Sequence, residues 1–345
     1  MRIVSIGHAV PARVVTNADL VDRVAEHAAG SLEHTDRLAI CSYLSEQLQR
    51  TGARTRYHRL ENEDALGLGI LAVRRALDAA GLQPTDIDLL IFTGVGRGFI
   101  EPATANVFQS ALGMSNATCF DVLDACASWI RAVDIAHHLV AAGRYQRTMI
   151  LNCEANFREY EPARIASTEE MELLWAGFTV GEAATATIVD AGDRDAEYHA
   201  TFRNAGGYVQ DCQIPLPHAE QFLNGNGRSH LPALLFQSRP DVLSTGAIRQ
   251  LYRQFQGDPL VSGQQYDVIF GHTVSVPVTD AALRRLDLDP RRFVEIFPDY
   301  GNVVSASLPL AMSLAMGDGR LHRGNRVLLM MAGAGLTTAL STFVF

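Results

Sequence analysis

The order strand, loop, apolar helix, strand occurs twice along this chain, and a repeat of that kind points to a fold made of two like halves. Asp86 to Gly98 (DIDLLIFTGVGRG) and Tyr266 to Ser275 (YDVIFGHTVS) each run from an acid through an apolar stretch into glycine and small residues. Each reads as a buried strand that opens into a loop. Farther on, Trp129 to Leu151 and Ser307 to Leu329 each give a helix of small apolar residues, a Gly-Arg stop, and an Arg leading into an apolar strand. A helix over residues 66–80, closed by Gly81, precedes the first strand. This alternation predicts mainly parallel strands with helices on both faces.

The repeat matters for chemistry because loops at the carboxyl ends of parallel strands gather helix N-termini and backbone N–H groups. Cys126 falls just before the first apolar helix and Asn302 just before its counterpart, while His272 ends the second of the two buried strands. The repeat therefore predicts that the three meet at the junction of the halves, Cys126 and Asn302 in equivalent places. A thiol at a helix start lies in the positive end of the helix, which lowers its pKa. Taken singly, each residue is ordinary. A cysteine in an apolar stretch usually packs, a histidine at a strand end usually holds structure, and Gly-Asn usually marks a turn.

Composition removes other classes. The 345 residues can bury a large core, and 48% hydrophobic against 19% charged residues is the balance of a globular enzyme. A net charge of −9, from 38 acids against 29 bases, opposes a nucleic-acid partner. The stretch from Met1 to Val15, broken by His8 and Pro11, fits neither a signal peptide nor a membrane span, so a cytoplasmic location is expected. Five cysteines (Cys41, Cys119, Cys126, Cys153, Cys212), odd in number and without a CxxC pair, oppose a disulfide framework or a zinc site. His137 and His138 adjoin on a helix and cannot both face one ion, so no metal is expected.

The DxxxACA segment around Cys126, the Gly271-His272 pair, the YGN-x-x-SAS segment from Tyr300 to Ser307, and the closing Gly333-Ala334-Gly335-Leu336-Thr337 stand in a telling order. Together they resemble ketoacyl-ACP synthase III and its relatives in the thiolase superfamily. Arg50-Thr51-Gly52-Ala53-Arg54 is similar to that family's TGIR segment, and the stretch from Gly181 to Ala186 to its Gly-Asp-Gly-Ala-rich strand entry. The resemblance covers essentially the whole chain. It implies an α/β thiolase-like fold in which two duplicated βαβαβαββ halves form a five-layered αβαβα unit. Residues 1–192 would carry the cysteine, and residues 193–345 the histidine and asparagine.

The resemblance further implies acyl transfer from an acyl-CoA or acyl-carrier-protein thioester onto Cys126, followed by decarboxylative condensation with a malonyl-type thioester, in polyketide or fatty-acid-like biosynthesis. His272 and Asn302 would donate hydrogen bonds to the enolate, and backbone N–H groups of Cys126, Gly333 and Ala334 would form the oxyanion hole. No cofactor and no membrane are implied, and a homodimer is. Arg50, Phe99, Trp129, Arg158, Phe178, Ser275, Ala332 and Leu336 are the implied substrate-contacting positions.

The chain departs from the family pattern at several places. Ala332 stands where a Phe is common, which implies a larger chamber. Trp129 stands where Phe or a small residue is usual. Ser275 and Pro277 replace the Asn and Arg that typically follow the histidine, and Glu46 replaces the Trp that stacks on the CoA adenine, while Arg50 and Arg158 keep matching positive charges. The arginines at 284, 285, 291, 292, 320, 323 and 326 are candidates for meeting an acidic carrier. Two other outcomes compete. An acyltransferase or chain-joining ketosynthase would pass the acyl group to an alcohol, an amine or a β-ketoacyl carbon, and a silent partner subunit would only shape a heterodimer.

Overall fold

The computed structural model describes residues 2–28, 33–155, 165–192, 197–222 and 233–345. Ten strands form two five-stranded sheets. The first holds β1 (Arg2–Ala9), β2 (Leu89–Thr93), β3 (Thr118–Val122), β4 (Arg147–Glu154) and β5 (Ala183–Asp190), in the order β1-β5-β4-β2-β3. The second holds β6 (Tyr198–Tyr208), β7 (Val268–Gly271), β8 (Phe293–Val294), β9 (Arg326–Gly333) and β10 (Gly335–Val344), in the order β6-β10-β9-β7-β8. Each strand of the first sheet thus has a counterpart five strands later. In both sheets the first three in spatial order pair antiparallel and the last three parallel.

Period-two alternation assigns the faces. Leu89 and Ile91 enter the core between the sheets, while Leu90 and Phe92 pack outward. Val327, Leu329 and Met331 likewise point between the sheets, and Leu328 and Met330 point to the far side. The outer layer on the first sheet includes α1 (Ala65–Ala80) and α2 (Thr104–Leu112). Helix α1 starts at Asp64, whose carboxylate accepts from the Gly67 N–H at 2.6 Å, and stops at Gly81 in the left-handed conformation. Two central helices, α3 (Ser128–Ala141) and α6 (Ser307–Gly317), fill the space between the sheets. Apolar on almost every side, α6 has no stripe facing water, as a helix sandwiched between sheets requires. Helices α4 (Pro240–Gln256) and α5 (Val276–Leu286) cover the far face of the second sheet. The layers therefore run helix, sheet, helix, sheet, helix, the duplicated thiolase-like arrangement. No helix among the described residues is long and apolar enough to cross a membrane.

Candidate active site

Between β3 and α3 the chain makes the turn that carries Cys126. Ala125 is forced to a φ of 44°, a left-handed value that costs an alanine roughly 1–3 kcal/mol. Ser128 offsets that cost by clamping the turn. Its hydroxyl donates to the Ala125 carbonyl at 2.6 Å and accepts from the Asp124 N–H at 2.8 Å. The Asp124 carboxylate is itself held by Arg131 (2.9 Å) and by the Thr337 hydroxyl (2.9 Å), so the turn is tied to β10 of the other half. Gly333, at the end of β9, lies against the turn: a Cβ there would sit 3.4 Å from the Cys126 Cβ.

The same turn recurs before α6. Val304 takes a φ of 50°, and the Ser307 hydroxyl donates to its carbonyl at 2.8 Å, as Ser128 does to Ala125. This register makes Ser305 the counterpart of Cys126, and Asn302, expected at the equivalent place, stands three residues before it. Asn302 is set by other contacts. Its N–H donates to the Thr179 carbonyl (2.8 Å) and its carbonyl accepts from the Gly181 N–H (3.1 Å). Glycine at 181 and 301 permits this approach, because a Cβ would lie 2.2 Å from the Tyr300 carbonyl oxygen and 2.4 Å from that of Thr179, respectively. The Asn302 Oδ1 accepts from the Val304 N–H at 2.9 Å, which leaves its amide N–H groups as the donors available to the chamber it lines.

His272 follows β7, its backbone N–H bonded to the Met330 carbonyl at 3.1 Å. Its Nδ1 lies 3.0 Å from the Ser307 Oγ. Because that hydroxyl spends its hydrogen on Val304, it must accept from the ring, so Nδ1 carries the proton and Nε2 is the bare nitrogen. Burial lowers the His272 pKa to about 4, keeping the ring neutral. The thiol of Cys126 moves the opposite way. Burial chiefly, then Cys212 and Glu154, push it above its ordinary value, while the N–H groups of Ala334 and of Cys126 itself pull it down. The expected depression of the thiol by the helix start is outweighed by desolvation, so a neutral thiol and a neutral imidazole line the same cavity.

Cys126, His272 and Asn302 line one cavity of about 390 Å³, together with Gly333 and Ala334. Residues 260–344 match the family described as 3-oxoacyl-[acyl-carrier-protein] synthase III, C terminal. A β-ketoacyl-[acyl-carrier-protein] synthase III of Agrobacterium fabrum is 28% identical over 339 residues, covering 96% of this chain and 95% of that protein. One from Methylococcus capsulatus is 27% identical over 335 residues, covering 97% and 95%. Over nearly its whole length this chain is thus similar to ketoacyl-ACP synthase III, and it is a condensing enzyme of that general type. Solved structures agree on the fold. Xanthomonas campestris OleA with bound lauric acid and lauroyl-CoA superposes on the condensing enzyme with a TM-score of 0.84 at 24% identity, covering 99% of this chain and 98% of that one. A 3-oxoacyl-[acyl-carrier-protein] synthase III from Aquifex aeolicus gives 0.79 at 20%, covering 100% and 99%.

Of the substrate-contacting positions implied for the condensing enzyme, Ala332 and Leu336 line the cavity. Trp129 does not: it is fully buried in α3 with its indole N–H on the Thr187 hydroxyl at 3.1 Å, while Leu123, Ala125 and Cys126 of the preceding turn line the chamber. Phe178 is packed in a separate core, while its neighbours Trp175, Ala176 and Thr179 form the wall. Ser275 sits between Val274 and Val278 but is not part of the lining. Phe99 is exposed on the loop after β2, and Arg50 is exposed and paired with Asp241 at 3.1 Å, next to the lining residue Pro240. Arg158 lies outside the described residues. Most of the candidate docking arginines are engaged elsewhere. Arg291 and Arg320 pair with Asp289 and Asp318, Arg326 with Glu197, Arg285 covers the Tyr252 ring, and Arg323 donates to backbone carbonyls of β1. Sequence reasoning passed over Cys212, which lines the chamber from a short strand paired with Gln237–Ser238. Nothing in Cys-Gln-Ile-Pro marks it.

Proposed function

We propose that the enzyme takes an acyl group from a thioester onto Cys126 and joins it to the α-carbon of a malonyl-type thioester with loss of carbon dioxide. The observation that carries this reading is the unprotonated Nε2 of His272, set by the Ser307–Val304 hydrogen bond, in the cavity that also holds the thiol. Nε2 takes the thiol proton as sulfur attacks the thioester carbonyl. The N–H groups of Cys126 and Ala334, which already face Sγ, hold the oxyanion as the donor thiolate leaves. The imidazolium formed then donates, alongside the Asn302 amide, to the carbonyl of the malonyl thioester. Carbon dioxide departs and leaves its electron pair as an enolate, the α-carbon attacks the acyl-Cys126 carbonyl, and the expelled sulfur takes its proton back from His272. One proton from solvent, taken up by the departing donor thiolate, closes the balance.

A second reading has its own support. Among the described residues no Asp, Glu, Lys or Arg lines the cavity, so none of them offers a cation to a malonyl carboxylate. In that reading the bare Nε2 removes an α-proton from a second acyl thioester, and two chains are joined without decarboxylation. Intact-protein mass spectrometry after exposure to acyl thioesters tests the shared step: wild type gains one acyl mass and Cys126→Ala none. Labelled carbon dioxide released from malonyl thioester separates the two readings, and absence of the adduct would sink both.

A further inference from the structure

A second cavity, of about 490 Å³, lies between β6, the outer strand of the second sheet, and the end of α4. Periodicity brings the two elements together there. Gln250, Arg253 and Gln254 of α4 and Gly257 just after it follow three- and four-residue spacing, while Thr201 and Arg203 share one face of β6. Most polar groups of this lining are already spent. The Gln250 amide donates to the Arg203 carbonyl and to the Thr338 hydroxyl, both at 2.9 Å, and the Gln254 amide to the Thr201 carbonyl and hydroxyl, both at 2.7 Å. Asp258, the one carboxylate among the described lining residues, has both oxygens engaged, by the His199 ring at 2.7 Å and by the Leu260 N–H at 3.1 Å. What is left over is cationic. Arg203 and Arg253 are exposed, one on the strand and one on the helix, and neither pairs with a carboxylate among the described residues.

The other face of the same strand leads to the nucleophile. Phe202 alternates away from Thr201 and Arg203, and the Arg131 guanidinium lies 3.7 Å over its ring. Asn204, which the cavity also touches, donates to the Thr337 hydroxyl at 2.7 Å. Arg131 and Thr337 both hold the Asp124 carboxylate, each at 2.9 Å, two residues before Cys126. Because β6 has a neighbouring strand on one side only, α4 and whatever fills this cavity are what steady its residues 201–204.

We infer that this cavity binds a small, hydroxyl-bearing phosphate monoester, its phosphate held across Arg203 and Arg253, and that occupancy speeds acylation of Cys126. Two guanidinium forks suit the oxygens of a phosphate dianion. The carbonyl groups left over in the last turn of α4 are acceptors only, so they suit sugar hydroxyls and not the phosphate itself. A bound phosphate ties β6 to α4, fixes the stretch that orients Arg131 and Thr337, and so holds the turn of Cys126 nearer its reactive geometry. The site is separate from the catalytic cavity, and only the rate effect rests on the acyl-Cys126 reading.

The test uses the full chain with ribose 5-phosphate as the probe, and ribose and inorganic phosphate as comparisons, at matched ionic strength. Calorimetry should show ribose 5-phosphate binding more tightly than inorganic phosphate, and ribose not binding. Arg203→Gln and Arg253→Gln, both at exposed positions, should each weaken the probe by about tenfold. With an acyl N-acetylcysteamine thioester, which carries no phosphate of its own, saturating probe should raise the rate of Cys126 acylation, read by intact mass, by about fivefold. Thr337→Val cuts the link to Asp124 without lining the cavity, so it should bind the probe as wild type does and lose the rate response. Ribose 5-phosphate binding no tighter than ribose, or undiminished in both arginine variants, overturns the site. Equal affinity for inorganic phosphate overturns the monoester as its occupant. An acylation rate indifferent to the probe in wild type, or still responsive in Thr337→Val, overturns the coupling. No adduct with the thioester counts against the acyl-Cys126 reading alone, and calorimetry then decides the site.

Discussion

A histidine whose pKa falls from 6.5 to about 4 is a base at every pH at which this protein is expected to work. The sign follows from the cause. Burial disfavours the imidazolium, so Nε2 stays bare until the pH drops near the lowered value, and protonation then removes the acceptor proposed above for the Cys126 proton. Burial also holds the thiol above its ordinary 9.0, so reaction cannot depend on a standing population of thiolate. Acylation of Cys126 should therefore be level from roughly pH 5 to pH 8. An inflection near 6.5, or a steady rise towards 9, would point to an exposed imidazole or a free thiolate. Replacing His272 by Ala should slow acylation by about a hundredfold to ten-thousandfold, the usual loss when a positioned base is removed. Stopped-flow release of the donor thiol measures both effects.

Among the elements, β4 and α6 are linked by a group that no motif announced. Glu154, at the end of β4, is fully buried and accepts from the N–H groups of Val95 (3.1 Å), Gly96 (2.8 Å) and Ser305 (3.3 Å) and from the Ser305 hydroxyl. Burial pushes its carboxyl above the usual range, and those donors pull it back. By ordering the loop after β2 and the turn before α6, this one side chain fixes parts of both halves beneath the chamber. Glu154→Ala leaves the donors unpaired and should cost about 3 kcal/mol of stability, with Glu154→Gln costing less because its amide oxygen still accepts. Urea denaturation with an unchanged slope would register that loss as a lower midpoint. A midpoint within error of wild type would mean that water replaces the carboxylate.

Across the whole molecule, β3 is the outer strand of the first sheet, and Phe99, Ile100 and Leu123 expose apolar side chains on the segments around it. An open strand edge flanked by exposed apolar groups is a pairing surface, and a second copy is the partner expected from the family resemblance. Light scattering on the eluting protein should give twice the 37.6 kDa chain mass, and Ile100→Asp should shift it towards the monomer. The duplicated order of elements and the residues Cys126, His272 and Asn302 were legible in the linear chain, because strand and helix periodicity, together with short motifs, are local properties. Local pattern also misled. It matched Cys126 with Asn302, whereas backbone conformation pairs it with Ser305, and the family resemblance placed Trp129 at the chamber, whereas α3 turns that ring into the core. Charge state lay further out of reach. The neutral ring of His272 and the raised thiol both depend on how much solvent is excluded by segments distant in the chain, and burial of that kind exists only once the two halves have packed together.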